Sequence, residues 1–372
     1  MKFSVFNGVP YGPVNGRPKG WPVANALFDT ERGPRAYAEC IEEVQLADEL
    51  GFDWIACAEH HYSPGSLVPN VNLLAAVLTQ HVRRARIAVL GALIPLGNPV
   101  RIAEEYAMLD NLSGGRLIAG LMRGAPYEYL VYNVNPSESR GRFAEAWELI
   151  VRAWTDTQPF GWAGEYYEFS NVSIWPRPVQ RPMPPVFISG SSRESGELAA
   201  QKRVGLGLAF TTRPLAADAA RVYREAAAAE GWQPVPEQVI YQVPVYVGDT
   251  DEQAFEDVRR CIEGPAARGV AAADANRLVV QAGFFGHRSQ HLTERFKNMH
   301  QEFSRGVEEQ IEYGQLVCGG PDGVVAQIRR LRQEIGCGVL NAIFQLPGLP
   351  RPNKLRAMQL FAREVMPQLR DA

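Results

Sequence analysis

The 372-residue sequence predicts an α/β fold, a closed (β/α)8 TIM barrel with loop insertions. Three observations carry that reading. Eight short apolar runs alternate with helical patterns along the whole chain, the rhythm of strand–helix units in one parallel sheet. Several of these runs are apolar throughout, as strands buried on both faces are. No Gly-x-Gly-x-x-Gly follows any of them, so a dinucleotide-binding doubly wound sheet lacks its signature. Eight units over this length argue for one barrel domain spanning residues 1–372, with an insertion at about 264–315.

Taken in order, Lys2 to Phe6 alternates as a first strand. Asn7 to Arg32 is thick with glycine and proline yet carries Tyr11, Trp21 and Phe28, so it reads as a loop folded over a pocket. Tyr37, Cys40, Ile41, Val44 and Ala47 recur at three and four residues, marking a helix from Arg35 to Leu50 that Gly51 stops. Phe52 to Ala58 is the second strand, Asn72 to His81 a helix, and Ala85 to Leu93 the third strand. Asn98-Pro99 supplies an N-cap and a proline at the first helical position, Ser113-Gly-Gly closes that helix, and Arg116 to Met122 is the fourth strand. A polar loop leads to a helix over Arg142–Trp154, and Phe160 to Pro178 is an excursion with short strands. Pro185–Ser189, Leu206–Phe210, Val239–Val247 and Val339–Leu346 are the remaining strands. Helices through Lys202, over Leu215–Ala229 and over Glu252–Ile262, and one opened by Gly320-Pro321-Asp322, separate or precede them. Leu355, Met358, Ala362, Val365 and Leu369 mark a closing amphipathic helix.

Nearly half the residues are apolar (46%), enough for a large core, and the net charge is −3. Basic residues are spread out, which argues against nucleic acid or an anionic membrane as partner. The five cysteines lack any C-x-x-C pair, which argues against a disulfide framework or a structural zinc site. No run reaches the length of a membrane span and the first residues already read as a strand, so the expectation is a cytoplasmic protein.

Chemistry concentrates in Glu59-His60-His61-Tyr62, where the second strand meets its loop. The C-terminal ends of barrel strands are where catalysis sits, and a histidine there can move protons near neutral pH. Taken alone, either histidine also reads as a strand cap with a satisfied hydrogen bond. Neighbours on an extended segment point to opposite sides, so His60 and His61 do not readily share a metal ion. His287 and His291 lack the glutamate of H-E-x-x-H, and the expectation is no metal. No Gly-x-Ser-x-Gly elbow supports a serine nucleophile. In Ser189-Gly-Ser-Ser-Arg-Glu-Ser195, a strand ends and serines open a helix, an arrangement that serves equally as an anion site or a simple N-cap. Arg123, ending the fourth strand, is placed to add a positive charge beside it.

At this point the residues resemble the bacterial luciferase-like, flavin-dependent monooxygenase family. The resemblance rests on the order of Gly51-Phe-Asp, Glu59-His60-His61-Tyr62, Asn98-Pro99-Val-Arg101-Ile-Ala-Glu104, Leu109-Asp110 with Gly115-Arg116, Arg123-Gly124, Pro185-Val-Phe-Ile-Ser-Gly-Ser-Ser and the closing Val365-Met366-Pro367. It implies that His60 is the active-site histidine. It also implies that Arg123, Ser191, Ser192 and Ser195 contact the phosphate of FMN, and that a bulged, often cis, peptide falls at Leu90-Gly91 beside the isoalloxazine. Met122 stands where the luciferase branch has cysteine and Ser191 where it has an acidic residue, which argues against light emission and aldehyde specificity.

The implied activity is a two-component monooxygenase. It would take reduced FMN from a separate NAD(P)H flavin reductase and use O2 to oxygenate a small apolar or aromatic substrate through a flavin peroxide, commonly as a homodimer. The Asn7–Arg32 loop and the Gly264–Gln315 insertion are the candidate lids. Two alternatives stay open: a deazaflavin-dependent oxidoreductase performing hydride transfer, and a non-catalytic flavin-binding protein.

Overall fold

The computed structural model describes residues 1–12, 20–263, 270–284 and 305–370. Its strands are β1 (Lys2–Phe6), β2 (Trp54–Cys57), β3 (Arg86–Leu93), β4 (Leu117–Met122), β5 (Phe160–Ala163), β6 (Glu168–Val172), β7 (Val186–Ser189), β8 (Gly205–Ala209), β9 (Val239–Val247), β10 (Val317–Gly319) and β11 (Val339–Ile343). The helices are α1 (Arg32–Glu49), α2 (Val71–His81), α3 (Pro99–Leu112), α4 (Glu128–Val131), α5 (Ser139–Thr155), α6 (Arg193–Gln201) and α7 (Arg213–Ala229). They continue with α8 (Asp251–Glu263), α9 (Val270–Gln281), α10 (Val307–Glu312), α11 (Pro321–Ile335), α12 (Arg351–Leu360), a π turn (Phe361–Val365) and α13 (Met366–Arg370).

Eight strands close into a parallel ring in the order β1-β2-β3-β4-β7-β8-β9-β11 and back to β1. Lys2 pairs with Val339, so the first and last strands of the ring are neighbours. The predicted barrel holds. Alternation along each strand splits the core into two layers. Trp54, Ala56, Ala88, Ile118, Phe187, Ile240 and Val339 fill the inside, with Phe6 and Leu90 as partly covered residues against them. The intervening positions, such as Ile55, Cys57, Ile87 and Val89, face the helices in a larger outer core. Trp54 meets Phe187 edge to face at 5.9 Å, so the interior is packed with side chains rather than open. Chemistry is therefore confined to the loops at the strand ends.

One element outside the ring follows the sequence expectation and two differ from it. The excursion is an antiparallel β5–β6 hairpin lying outside the ring, as the turn-rich composition suggested. Glu128–Val131 is a helical turn inside what reads as a polar loop. β10 adds a ninth strand to the main sheet, pairing Val317–Gly319 with the last residues of β9, Val245–Val247. Residues 264–269 and 285–304 of the insertion lie outside the described residues. The described part of the insertion holds two helices, α9 and α10. All five cysteines are buried and free.

Candidate active site

The predicted site residues all lie at the C-terminal ends of β2, β3, β4 and β7, four successive strands of the ring. Gly120 of β4 pairs with Phe187 of β7. Continuing that register puts Arg123 level with Gly190, so arginine and serine segments meet at one level of the mouth. The structure thus brings together residues more than sixty positions apart.

Ser192 caps α6, its hydroxyl accepting from the Ser195 backbone N–H, and the two hydroxyls lie 2.9 Å apart. Unpaired amides at a helix start favour an anion. Gly190 makes room for this turn, since a Cβ there would strike Ser195. Glu194, in the same first turn, is drawn off by Arg140 at 2.7 Å. Arg123 is exposed just beyond β4, and its carbonyl accepts from the Tyr129 hydroxyl at 2.6 Å, which fixes the backbone there.

At the end of β3 the pairing with β4 slips between Val89 and Ala92, and the Leu90-Gly91 peptide is cis. Tyr106 of α3 stabilises the slip. Its buried hydroxyl donates to the Gly120 carbonyl (2.7 Å) and accepts from the Ala92 N–H (3.2 Å), pairing two backbone groups that the irregular ladder would leave unsatisfied. Gly91 is packed so closely that a Cβ would run into the Gly120 backbone. Leu90 is half-buried and closes the top of the interior layer, forming the floor of the mouth.

The two histidines separate as their alternation requires. His61 is 3% exposed; its Nε2 lies 3.3 Å from Glu59 Oε1 and its ring packs on Tyr62 and Tyr132. It is the satisfied one. The His60 side chain keeps 40% of its surface exposed, and its Nδ1 lies 3.1 Å from Oε1 of Glu128, a carboxylate only 1% exposed. Glu128 was missed in the sequence because a contact across 68 positions leaves no local signature.

Part of the Asn7–Arg32 stretch folds onto this loop, as its aromatic content suggested. Trp21 is 7% exposed, with ring centroids 5.8 Å from Tyr62 and 5.6 Å from Tyr127, and the Val23 N–H donates to the Tyr62 carbonyl. Burial and the neighbouring Glu128 carboxylate push the Tyr127 phenol well above its usual range, so it stays a neutral hydroxyl. Tyr62 itself takes φ +54, as do Val9 (+48) and Phe210 (+51) in other strand-end loops, left-handed backbone that side chains adopt at a cost. Residues 13–19 of the stretch, and His287 and His291, lie outside the described residues.

Among the described residues no three His, Cys, Asp or Glu side chains converge as metal ligands, and no helix is long and apolar enough to cross a membrane. A cavity of about 270 Å³ lies between α1 and α12. Within it Lys354 pairs with Glu43 (2.5 Å) and Gln345 (2.8 Å), and Glu43 accepts from Asn7 (2.8 Å), so it ties the β1 loop to α12.

The family model described as luciferase-like monooxygenase matches residues 17–337. The oxygenase component of a flavin-dependent trigonelline monooxygenase from Acinetobacter baylyi is 30% identical over 178 residues, 47% of this chain and 49% of that one. The chain thus covers about half the length of that curated relative. Among solved structures, monooxygenase RslO1 from Streptomyces bottropensis superposes with a TM-score of 0.76 at 26% identity, covering 99% of both chains. The oxygenating constituent of 3,6-diketocamphane monooxygenase from Pseudomonas putida, in complex with FMN, gives 0.73 at 20% identity over 99% of this chain and 98% of that one. An F420-dependent secondary alcohol dehydrogenase shares the fold at 0.67 and 16% identity, over 98% of each chain.

Proposed function

Because this chain belongs to the luciferase-like monooxygenase family, we propose that it is the oxygenase component of a two-component, FMN-dependent monooxygenase. The observation that carries the reading is the half-exposed His60, seated on a buried carboxylate at a barrel mouth that also carries the serine turn opening α6. The cradle suits the phosphate of FMN, with Ser191, Ser192, Ser195 and Arg123 as its holders. Leu90 and Gly91 offer a small, apolar floor for a flat ring system. Reduced FMN, delivered by a separate NAD(P)H flavin reductase, supplies the electrons that activate O2.

The protein's own groups do the rest. Trp21, Tyr62 and Tyr127 wall the mouth with aromatic surface and keep water from the reacting centre, which suits a small apolar or aromatic substrate. His60, partly exposed at that wall, takes or gives a proton as general acid/base.

The phosphate assignment predicts that Arg123→Ala weakens FMN binding by roughly tenfold to a hundredfold, the worth of a charge-assisted contact. Riboflavin, which lacks the phosphate, should bind wild type and variant alike. Titration of intrinsic or flavin fluorescence reads both. Equal wild-type affinity for FMN and riboflavin would remove the phosphate site.

A homodimer is part of the proposal. Leu73 and Val77 on α2 are 70% and 40% exposed, and Met108 and Leu112 on α3 are each 50% exposed. The two helices lie side by side, joined by Asn72 Nδ2 donating to Glu105 Oε2 at 2.7 Å, so these residues form an apolar face that a second copy would cover. Light scattering should find a dimer in the wild type and a folded monomer in a Leu73→Asp, Met108→Asp double variant. A monomeric wild type would overturn this.

The deciding experiment mixes protein loaded anaerobically with reduced FMN against oxygenated buffer and follows flavin absorbance. Oxidised-flavin absorbance that lags behind oxygen uptake, and shifts when aromatic substrates are added, is the expected result. Reoxidation at the free-flavin rate under every substrate, with hydride transfer from a reduced deazaflavin instead, would replace the reading by the deazaflavin alternative that an F420-dependent neighbour keeps in view.

A further inference from the structure

We propose that Glu128 is a positioning residue for His60, holding the imidazole as its Nδ1–H tautomer so that Nε2 is left free for proton transfer at the mouth. The inference rests on the active-site role given to His60 above, although the geometry that supports it does not.

A carboxylate only accepts hydrogen bonds, so across the 3.1 Å contact the proton belongs to Nδ1. Which nitrogen of a histidine is protonated is set by the bond the other end makes. Nε2 of His60 meets no hydrogen-bonding group among the described residues, while the His60 backbone N–H donates to the Val68 carbonyl at 3.0 Å. The side chain is thus held at its inner nitrogen and its backbone, and open at the other nitrogen.

His60 is the basic side chain that the buried Glu128 faces. It is 1% exposed, and its Oε2 is buried without a hydrogen-bond partner among the described residues. A half-satisfied buried carboxylate destabilises a fold, and an apolar side chain of similar size would serve packing better. Tyr127, next to it in the chain, keeps a neutral phenol that also interacts with the Glu128 carboxylate, so it shares the acid with His60 without competing as a base. From the β2 loop, Glu59 is engaged by His61 at 3.3 Å and does not compete for His60. Tyr132 packs edge to face on His61 at 5.3 Å, and burial, with Glu59, Tyr62 and Glu128 as lesser causes, raises its phenol. Each acid therefore serves a different histidine: Glu59 locks His61 into the packed wall, and Glu128 orients the exposed one.

The test reads the tautomer directly, without flavin or substrate. Protein labelled with ¹⁵N-histidine gives ring-nitrogen shifts that separate Nδ1–H from Nε2–H, and the His60 signals are assigned by their loss in His60→Asn. Wild type should show Nδ1–H. Glu128→Gln keeps the size and the fold but offers either an acceptor or a donor, so the Nδ1–H preference should fall by about tenfold or more. Glu128→Leu should favour Nε2–H. An unchanged thermal midpoint in Glu128→Gln separates positioning from structural support.

Wild-type His60 protonated on Nε2, or a tautomer unchanged in both variants, overturns the proposal even if the protein proves to be an oxygenase. In turnover, Glu128→Gln should lower kcat by roughly tenfold or more while leaving KM in place. A tautomer that shifts as expected with kcat untouched would confirm the orientation and remove the role of His60 instead.

Discussion

A His60→Ala variant should bind FMN with nearly wild-type affinity and lose about 10² to 10⁴-fold in turnover of any substrate that the wild type oxygenates. The two halves of that expectation have different physical origins. The imidazole lies on the β2 loop, whereas the serines proposed to hold phosphate open α6, with β3 and β4 between their strands in the ring. Removing the ring therefore leaves the phosphate holders untouched. The side chain is 40% exposed, so its truncation opens no large core cavity, and a loss of activity is not a loss of fold. What disappears is, among the described residues, the imidazole at this mouth with an unengaged nitrogen, since His61 is buried against Glu59. Circular dichroism, FMN titration and product yield measured on one preparation separate these effects. Unchanged turnover would take the acid/base role away from His60.

Gly91→Val is expected to cost about 3 kcal/mol or more in a urea unfolding series, the upper end of what overpacking a core does. The side chain would enter space already filled by the Gly120 backbone, and a backbone cannot swing aside as a flexible side chain can. Tyr106 holds the same spot from behind through Gly120 and Ala92, so neither strand is free to yield. The damage should extend to cofactor binding, because Leu90 and Gly91 floor the mouth. Gly51→Ala is the matching control. Gly51 has φ +84 with nothing within 4 Å of a would-be Cβ, so its cost is only the left-handed backbone, roughly 1–2 kcal/mol. Equal losses at the two positions would show that close packing at Gly91 is not the cause.

The barrel was legible because its strands are buried on both faces and announce themselves as unbroken apolar runs. Lys2–Phe6 and Val239–Val247 carry the bounds read from sequence, and the other ring strands differ by a few residues at their ends. The strand ends in turn made His60, Arg123 and the serines the candidates, since the barrel rule assigns chemistry to that rim. β10 escaped notice because three residues between a turn and Gly320 are too few for any periodicity. Tyr106 was legible as one more apolar position on α3, but not as a bridge. Its hydroxyl matters only where the β3–β4 ladder slips, a property of two strands together. Glu128 was hidden for a similar reason, in a segment whose composition says loop. Period-two alternation separated His60 from His61 without saying which faces inward.

β9 has one further consequence. Its first residues belong to the ring and its last three carry β10, and the turn after it is clamped by Gly248 N–H donating to the Gly319 carbonyl and Gly320 N–H donating to Asp251. Arg259 of α8 and Glu308 of α10 meet at 2.6 Å across the same junction. The exit and re-entry points of the 264–315 segment are therefore riveted together on one strand. A loop with fixed ends costs only about 0.6 kcal/mol for each doubling of its length. β9 also stands directly across the ring from β3 and its bulge, with β8 between it and β7. Such a socket lets natural variation or a designer exchange the whole segment, and with it the reach of the mouth, while the β2–β4 side of the barrel, with His60 and the β3 bulge, is inherited unchanged.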